Sequence, residues 1–252
     1  MKDSKFHKLK KSASQVKFLP SAFMDKMFNT LKDRNEEAYF RRGSYGDELI
    51  INGLTIFYYK GSRGNYKYGW FFRDVKKQAL EYVANNKIKL KKDFPAFLFN
   101  KKFVFKEGEN IKKNIAGFDI DDAFWNIAFK MGLINERIFR TGLEFPDEVK
   151  SIKLASLANL SSNKHYSIVQ NGEVNQRKKM VVIPCNPLTK IAYQNVRLTC
   201  LEYMFNLSKL LKDDFYEYKV DAIFFRKSAQ NIKLVKDYFK NLDVSISRLH
   251  WE

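Results

Sequence analysis

Asp119, Asp121 and Asp122 fall within the stretch GFDIDDAFWNIAFKMG (117–132), where a β-rich run gives way to an apolar, aromatic and helical one. A fourth acid, Asp221, is flanked by Val220 and Ala222 in the run YEYKVDAIFFRK, which reads as one strand. An ionised carboxylate in an apolar strand is costly unless something pairs with it. Two such carboxylates on adjacent strands repel unless a cation bridges them. Divalent magnesium meets both demands, because it takes one or two carboxylates and completes its shell with substrate phosphates. That is the geometry of two-metal phosphoryl transfer. From spacing alone a plainer arrangement leads, with each acid capping a turn or pairing with a lysine. Asp121 and Asp122 also suit a helix start, where acids face the positive end of the dipole.

The chain around these acids is basic. Its 252 residues hold 46 Lys and Arg against 28 Asp and Glu, a formal net charge of +18. Such an excess suits a polyanion, and nucleic acid is the first candidate partner. A second candidate contact region is the stretch 58–73. It mixes Arg63, Lys67 and Arg73 with Tyr68 and Trp70, and cations with aromatic faces suit a single strand. Half of those aromatics also alternate as core residues of a hairpin do. Arg177, Lys178 and Lys179 form a further basic cluster, read either as a backbone contact or as a solvated loop tip.

Other chemistry is thin. Cys185 and Cys200 are too few for a disulfide framework or a zinc site, and a reducing cytoplasm is the expected setting,. The three histidines, His7, His165 and His250, show no ligand spacing. No apolar run approaches the ~18 residues of a transmembrane helix, so no membrane partner is expected. The segment MKDSKFHKLKKSAS lacks an apolar run after its charges and reads as a basic arm rather than a signal peptide,.

The elements that must position the acids can be traced from the pattern. A helix is expected over 21–40, with Ser21 as its cap. A hairpin follows over 48–59 around Asn52-Gly53. VKKQALEYVANNK is a helix, AFLFNKKFVF a strand pair and NIAGFDI a strand ending at the acids. Three helices come next: AFWNIAFKMG closed by Gly132, NERIFRTG closed by Gly142, and a third over 146–164. A hairpin around Asn171-Gly172, a long helix over about 188–212, the Asp221 strand, a helix and a last strand complete the chain. The order is mixed α and β, and the hairpins favour an antiparallel sheet with helices on one face.

FDIDDAFW resembles the first palm motif of family B DNA polymerases, with Asp119 at the metal-binding aspartate and Phe124 at the aromatic under the sugar. KLASLANLSSNK loosely resembles the second motif, with Lys153 at the lysine facing the triphosphate and Asn159 at the later asparagine. YEYKVDAIFF resembles the third, with Asp221 at its second aspartate. The resemblance covers about residues 111–250. The chain departs from the pattern where Lys219 replaces the first aspartate of the third motif and Phe124 replaces the commoner tyrosine. No exonuclease acid pattern precedes Asp119, and too little chain follows Asp221 for the usual thumb.

The resemblance implies an α+β fold with an antiparallel palm-like sheet, helices on one face and a short helical fingers insertion. It divides the chain into a basic arm and helix (1–45), a β-rich nucleic-acid-contacting region (46–110) and a palm with short fingers (111–252). It implies a metal-dependent nucleotidyltransferase, a minimal template-directed DNA polymerase of phage or mobile-element type, working in the host cytoplasm. Asp119 and Asp221 would hold two Mg2+ ions, with Mn2+ as a substitute. The backbone amide near Ile120, with Phe124, Lys153 and Asn159, would contact the nucleoside triphosphate. The expected partners are DNA, as a single strand or primer–template, and a further subunit supplying a thumb. The alternative is a non-catalytic nucleic-acid-binding accessory protein with a degenerate palm. A metal-dependent nuclease using the same acids is a third reading, weakened because no further acid sits beside Asp221.

Overall fold

The computed structural model describes residues 15–42, 46–52, 54–59, 69–104, 111–146, 149–175 and 180–249. The fold is α+β. Its Cα packing forms two compact units interleaved along the chain, one of Met1–Asp74 with Asn159–Pro187, the other of Val75–Ala158 with Leu188–Glu252. The three consecutive segments expected from the sequence do not follow this division. A segment from within 111–252 joins the first unit, and a strand from within 46–110 joins the second.

The first unit holds strands β1 (Gln15–Pro20), β2 (Ala38–Arg41), β3 (Gly46–Ile51) and β4 (Leu54–Tyr59), with β7 (Lys164–Gln170), β8 (Glu173–Asn175) and β9 (Val181–Ile183) from the later segment. They make one sheet in the order β1-β4-β3-β2-β7-β8, with β9 also paired to β7. The β1–β4 pair is parallel and the other pairs are antiparallel. Alternation divides the apolar residues between two faces. Ala38, Phe40, Leu49 and Val169 pack with Leu31 of helix α1 (Met24–Asp33), while Tyr39, Ile50, Tyr166 and Val181 cluster separately. The Asn171-Gly172 turn forms as expected, with φ of 52° and 72°,. The other expected hairpin also forms between β3 and β4, with Asn52 at φ 43° and Gly53 outside the described residues.

Two expectations fail in this unit. The helix expected over 21–40 ends at Asp33, and residues 38–41 are a strand. Asn35, at φ 52°, closes the helix, and Glu36 N–H donates to Leu31 O at 2.9 Å,. Ser21 does not cap α1; it opens a short 3-10 turn, and Phe23 stands at the cap without a side-chain bond.

The second unit holds a five-stranded antiparallel sheet in the order β12-β6-β11-β10-β5. These strands are β5 (Phe97–Phe99), β6 (Ile115–Ile120), β10 (Phe215–Lys219), β11 (Ala222–Arg226) and β12 (Ile246–Leu249). Cross-strand partners share a face. Ala116, Phe118, Ile120, Tyr218, Ile223 and Phe225 make one face and are all buried. The opposite face, carrying Asp119, Glu217, Lys219, Ala222 and Phe224, is more open and runs to exposed Phe97 and Phe99 on edge strand β5.

The helices of the unit are α3 (Ile111–Asn114), α4 (Ala123–Lys130), α5 (Glu136–Leu143), α6 (Ser151–Ala158), α7 (Pro187–Leu211) and α8 (Ala229–Asn241). Helix α2 (Gly69–Asn86) runs across the division at Asp74/Val75. Gly132 closes α4 as expected, at φ 74°, with Leu133 N–H on Ala128 O at 2.9 Å,. Gly142 does not close α5. It lies inside the helix, and a Cβ there would sit 2.5 Å from the Trp125 ring.

Among the described residues, the helix expected over 146–164 is confined to α6. Among the described residues, the strand pair expected over AFLFNKKFVF reduces to β5, after which Phe103 N–H bonds Asn100 O in a turn. The single strand expected around Asp221 is a hairpin, with Val220 and Asp221 as its two loop residues. Helix α2 starts six residues before the expected VKKQ, so Trp70 and Arg73 are helical.

Candidate metal centre

Strand β6 is buried along both faces except at Asp119, which is partly exposed. It lies between β11 and β12, and Asp119 stands across from Ala222 and Ser247. Asp221 immediately precedes Ala222, and Ile120 N–H donates to Asp221 O at 3.1 Å. The β10–β11 loop therefore delivers Asp221 to the same end of the sheet as Asp119.

That loop is held from several sides. Val220 N–H donates to Ala96 O at 2.8 Å, and the Cys200 thiol of α7 reaches Val220 O at 3.7 Å. Val220 sits at φ 52°, a left-handed conformation in which a β-branched residue is strained,. The surrounding contacts hold it there, and the Asp221 backbone follows from that placement.

The three clustered acids separate by partner. Asp121 Oδ1 accepts from Ser247 Oγ at 2.6 Å, and its main-chain oxygen accepts from Asn126 Nδ2 at 2.5 Å. Asp122, at φ 46°, is the N-cap residue of α4 but makes no side-chain cap bond. Its carboxylate instead receives Lys153 Nζ at 2.5 Å. Asp119 is different: its Oδ1 is buried with no hydrogen-bond partner. Burial first, then the charges of Asp221 and Asp121, push its pKa up to about 6, against an opposing bond from the Ile120 amide. Burial also raises Asp221, opposed by a backbone amide. Burial raises the Cys200 thiol, and the charges of Asp221 and Asp119 add to the effect. Neither Asp119 nor Asp221 pairs with a cation among the described residues.

This donor set fits a hard divalent ion. It offers carboxylate oxygens, one of them buried and unsatisfied, in the kind of site magnesium shares with phosphate and water. Among the described residues no group of three or more His, Cys, Asp or Glu is arranged to hold a metal, so further ligands would come from water and substrate,.

The remaining sequence candidates are placed unevenly. The Ile120 N–H that was to contact a triphosphate is already bonded to Asp221 O, and the side chain is buried. Phe124 is half-buried in the first turn of α4. Lys153, 7 % exposed along its side chain, is held by Asp122. Asn159 is exposed just beyond α6, in the first unit. Trp70 is half-buried and Arg73 exposed on α2. Arg63, Lys67, Tyr68, Arg177, Lys178 and Lys179 lie outside the described residues. Lys219 is 60 % exposed, pairs with Glu217 at 3.1 Å and lies 5.9 Å from the Phe97 ring centroid.

Sequence reasoning missed Ser247, Cys200 and Val220 as supports of this site. The signal for the loop was present: YEYK and AIFF are both β-rich, and Val220-Asp221 is a two-residue interval between them,. No family model, curated protein or solved structure matches the chain. Among the described residues, no helix is long and apolar enough to cross a membrane.

Proposed function

We propose that Asp119 and Asp221 hold magnesium and that the chain is a metal-dependent nucleotidyltransferase, a minimal template-directed DNA polymerase. The observation that carries this reading is the unpartnered, buried Oδ1 of Asp119 beside a second carboxylate with no cation on either. A like-charge pair desolvated in this way is poised to be neutralised by a divalent ion. When bound, magnesium supplies charge stabilisation and positioning for in-line phosphoryl transfer.

The chain's own groups supply the frame. Asp119, on a central strand, and Asp221, on a pinned loop, fix two ligand directions. Lys153 ties α6 to the start of α4 through Asp122, and so acts as a positioning residue. The open face beside Asp119 carries Lys219 and the exposed rings of Phe97 and Phe99, which suit a phosphate backbone and unstacked bases,. A palm of phage or mobile-element type with a short fingers helix is the architecture this reading assigns to the second unit.

The accessory-protein alternative is favoured by one observation. Lys153, the cation assigned to the triphosphate, is engaged by Asp122. Primer extension separates the two readings. Full-length chain is supplied with primer–template, deoxynucleoside triphosphates and Mg2+ or Mn2+. Extension by the wild type, lost in both Asp119→Asn and Asp221→Asn, is the expected result. Binding of the template without extension or metal uptake would leave the accessory reading.

A further inference from the structure

The sheet of the first unit carries a pocket whose lining includes neither Asp119 nor Asp221. Antiparallel pairing sets Phe40 across from Ser167, so the next outward pair on that face is Arg42 and His165. Helix α1 covers the same face farther along, where Phe28 meets Phe40 edge-on at 5.4 Å. Beyond that contact lies a pocket of about 350 Å³ lined by Phe40, Arg42, His165, Ser167, Val174 and Met180.

Its chemistry is one-sided. Among the described residues no acidic side chain lines it. Arg41 also borders it, but its guanidinium is bonded to Glu48 at 3.1 and 3.2 Å. Arg42, His165 and the Ser167 hydroxyl thus provide donors, and Arg42 a fixed positive charge, with no local carboxylate in competition. Phe40, Val174 and 54 % exposed Met180 provide apolar walls. The volume lies in the range of small-ligand pockets, roughly 300–1,000 Å³. Donors together with apolar walls match an anion attached to a flat ring,.

We propose that this pocket binds a nucleoside 5′-phosphate, as a free nucleotide or as the 5′-phosphorylated end of a strand. Arg42, Ser167 and His165 take the phosphate, and Met180 and Val174 cover the base. The proposal does not depend on metal at Asp119.

The test is fluorescence anisotropy of the full chain in EDTA. It uses a 3′-labelled single-stranded DNA oligonucleotide with either a 5′-phosphate or a 5′-hydroxyl. The phosphorylated strand should bind about tenfold more tightly, a gain of one charge-assisted contact. Arg42→Gln should erase that preference while affinity for the hydroxyl form stays within about twofold. His165→Ala, read on the same pair of strands, guards against a folding defect in one variant. Deoxyadenosine monophosphate as competitor distinguishes the sources: removal of the preference shows that the free nucleotide also enters, and its persistence restricts the site to strand ends. Equal affinity for the two strands with no binding of the monophosphate overturns the proposal, as does a preference surviving both substitutions. Asp119→Asn should keep the preference, so loss of polymerase activity and loss of this site are read separately.

Discussion

Ile120 donates its backbone N–H to the carbonyl of Asp221 at 3.1 Å, joining the residue after one carboxylate to the other carboxylate's own main chain. That bond fixes the relation between Asp119 and Asp221 through the backbone. The two Cα positions therefore cannot separate without breaking that bond. Burial raises the pKa of Asp119 to about 6, and the charges of Asp221 and Asp121 add to that rise,.

The first prediction concerns stability without metal. A carboxyl whose pKa is higher folded than unfolded binds its proton more tightly in the native state. Stability is then greatest below the ordinary carboxylate pKa and falls as pH rises through the folded value of about 6,. The rise corresponds to about 3 kcal/mol, which solvent screening of this partly exposed group reduces to on the order of 2 kcal/mol at pH 8,. Asp119→Asn should raise the melting temperature in EDTA at pH 8 by about 4–8 °C and leave it nearly unchanged at pH 4. A lower melting temperature at both pH values would identify Asp119 as a structural partner instead.

The second prediction adds metal. Magnesium at about a hundredfold above its Kd should stabilise the wild type by about 2.7 kcal/mol. The effect should weaken as Asp119 is protonated below pH 6,. Asp119→Asn and Asp221→Asn should each lose it and lower nucleotide incorporation at least about a thousandfold, several kcal/mol of transition-state stabilisation. Wild-type melting that ignores magnesium and manganese would remove the metal centre.

The third prediction tests the loop. Val220 occupies φ 52°, a conformation that costs a non-glycine residue about 1–2 kcal/mol,. Asparagine adopts it more readily. Val220→Asn should raise stability by about 1 kcal/mol in urea unfolding and should retain the Asp221-dependent metal response. A fall in stability would mean that packing of the valine side chain outweighs its backbone strain.

The parts of this molecule legible in sequence are those set by local pattern. The long helix α7 and strand β6 stand close to their expected bounds because apolar spacing and a terminal acid cluster define them,. Asn171-Gly172 declares its turn by composition. The 38–41 strand was hidden because its apolar run follows a helix whose stop is Asn35 rather than glycine. Trp70-Phe71-Phe72 favours a strand by propensity, yet forms the start of α2,. The interleaving of units depends on β2 pairing with β7, a long-range choice that local pattern does not carry. At the candidate site, the cost of a carboxylate in an apolar strand drew attention to Asp119 and Asp221, although Asp221 stands in a hairpin loop,. The roles of Asp121 and Asp122 depend on Ser247, 126 positions away, and Lys153, 31 positions away. Nothing near the acids in sequence announces either partner.

The last prediction concerns that second partner. Lys153 is buried on α6, and Asp122 is more exposed, with 7 % and 36 % side-chain exposure. Asp122→Ala strands a buried ammonium and should cost about 2–3 kcal/mol. Lys153→Met keeps the packed methylene stem and removes the charge, so it should cost less. The double variant should be more stable than the two single losses imply, with a coupling of about 1–2 kcal/mol. Kinetics then separate positioning from substrate contact. A positioning lysine predicts that Lys153→Met lowers kcat and leaves the nucleotide KM within about threefold, because the transition-state geometry is lost and not ground-state binding. A lysine that leaves Asp122 to meet the triphosphate predicts the reverse: KM rises by tenfold or more, about 1.4 kcal/mol, and Asp122→Asn lowers KM by freeing the cation. Unchanged stability in the single variants together with that KM pattern would return Lys153 to the nucleotide.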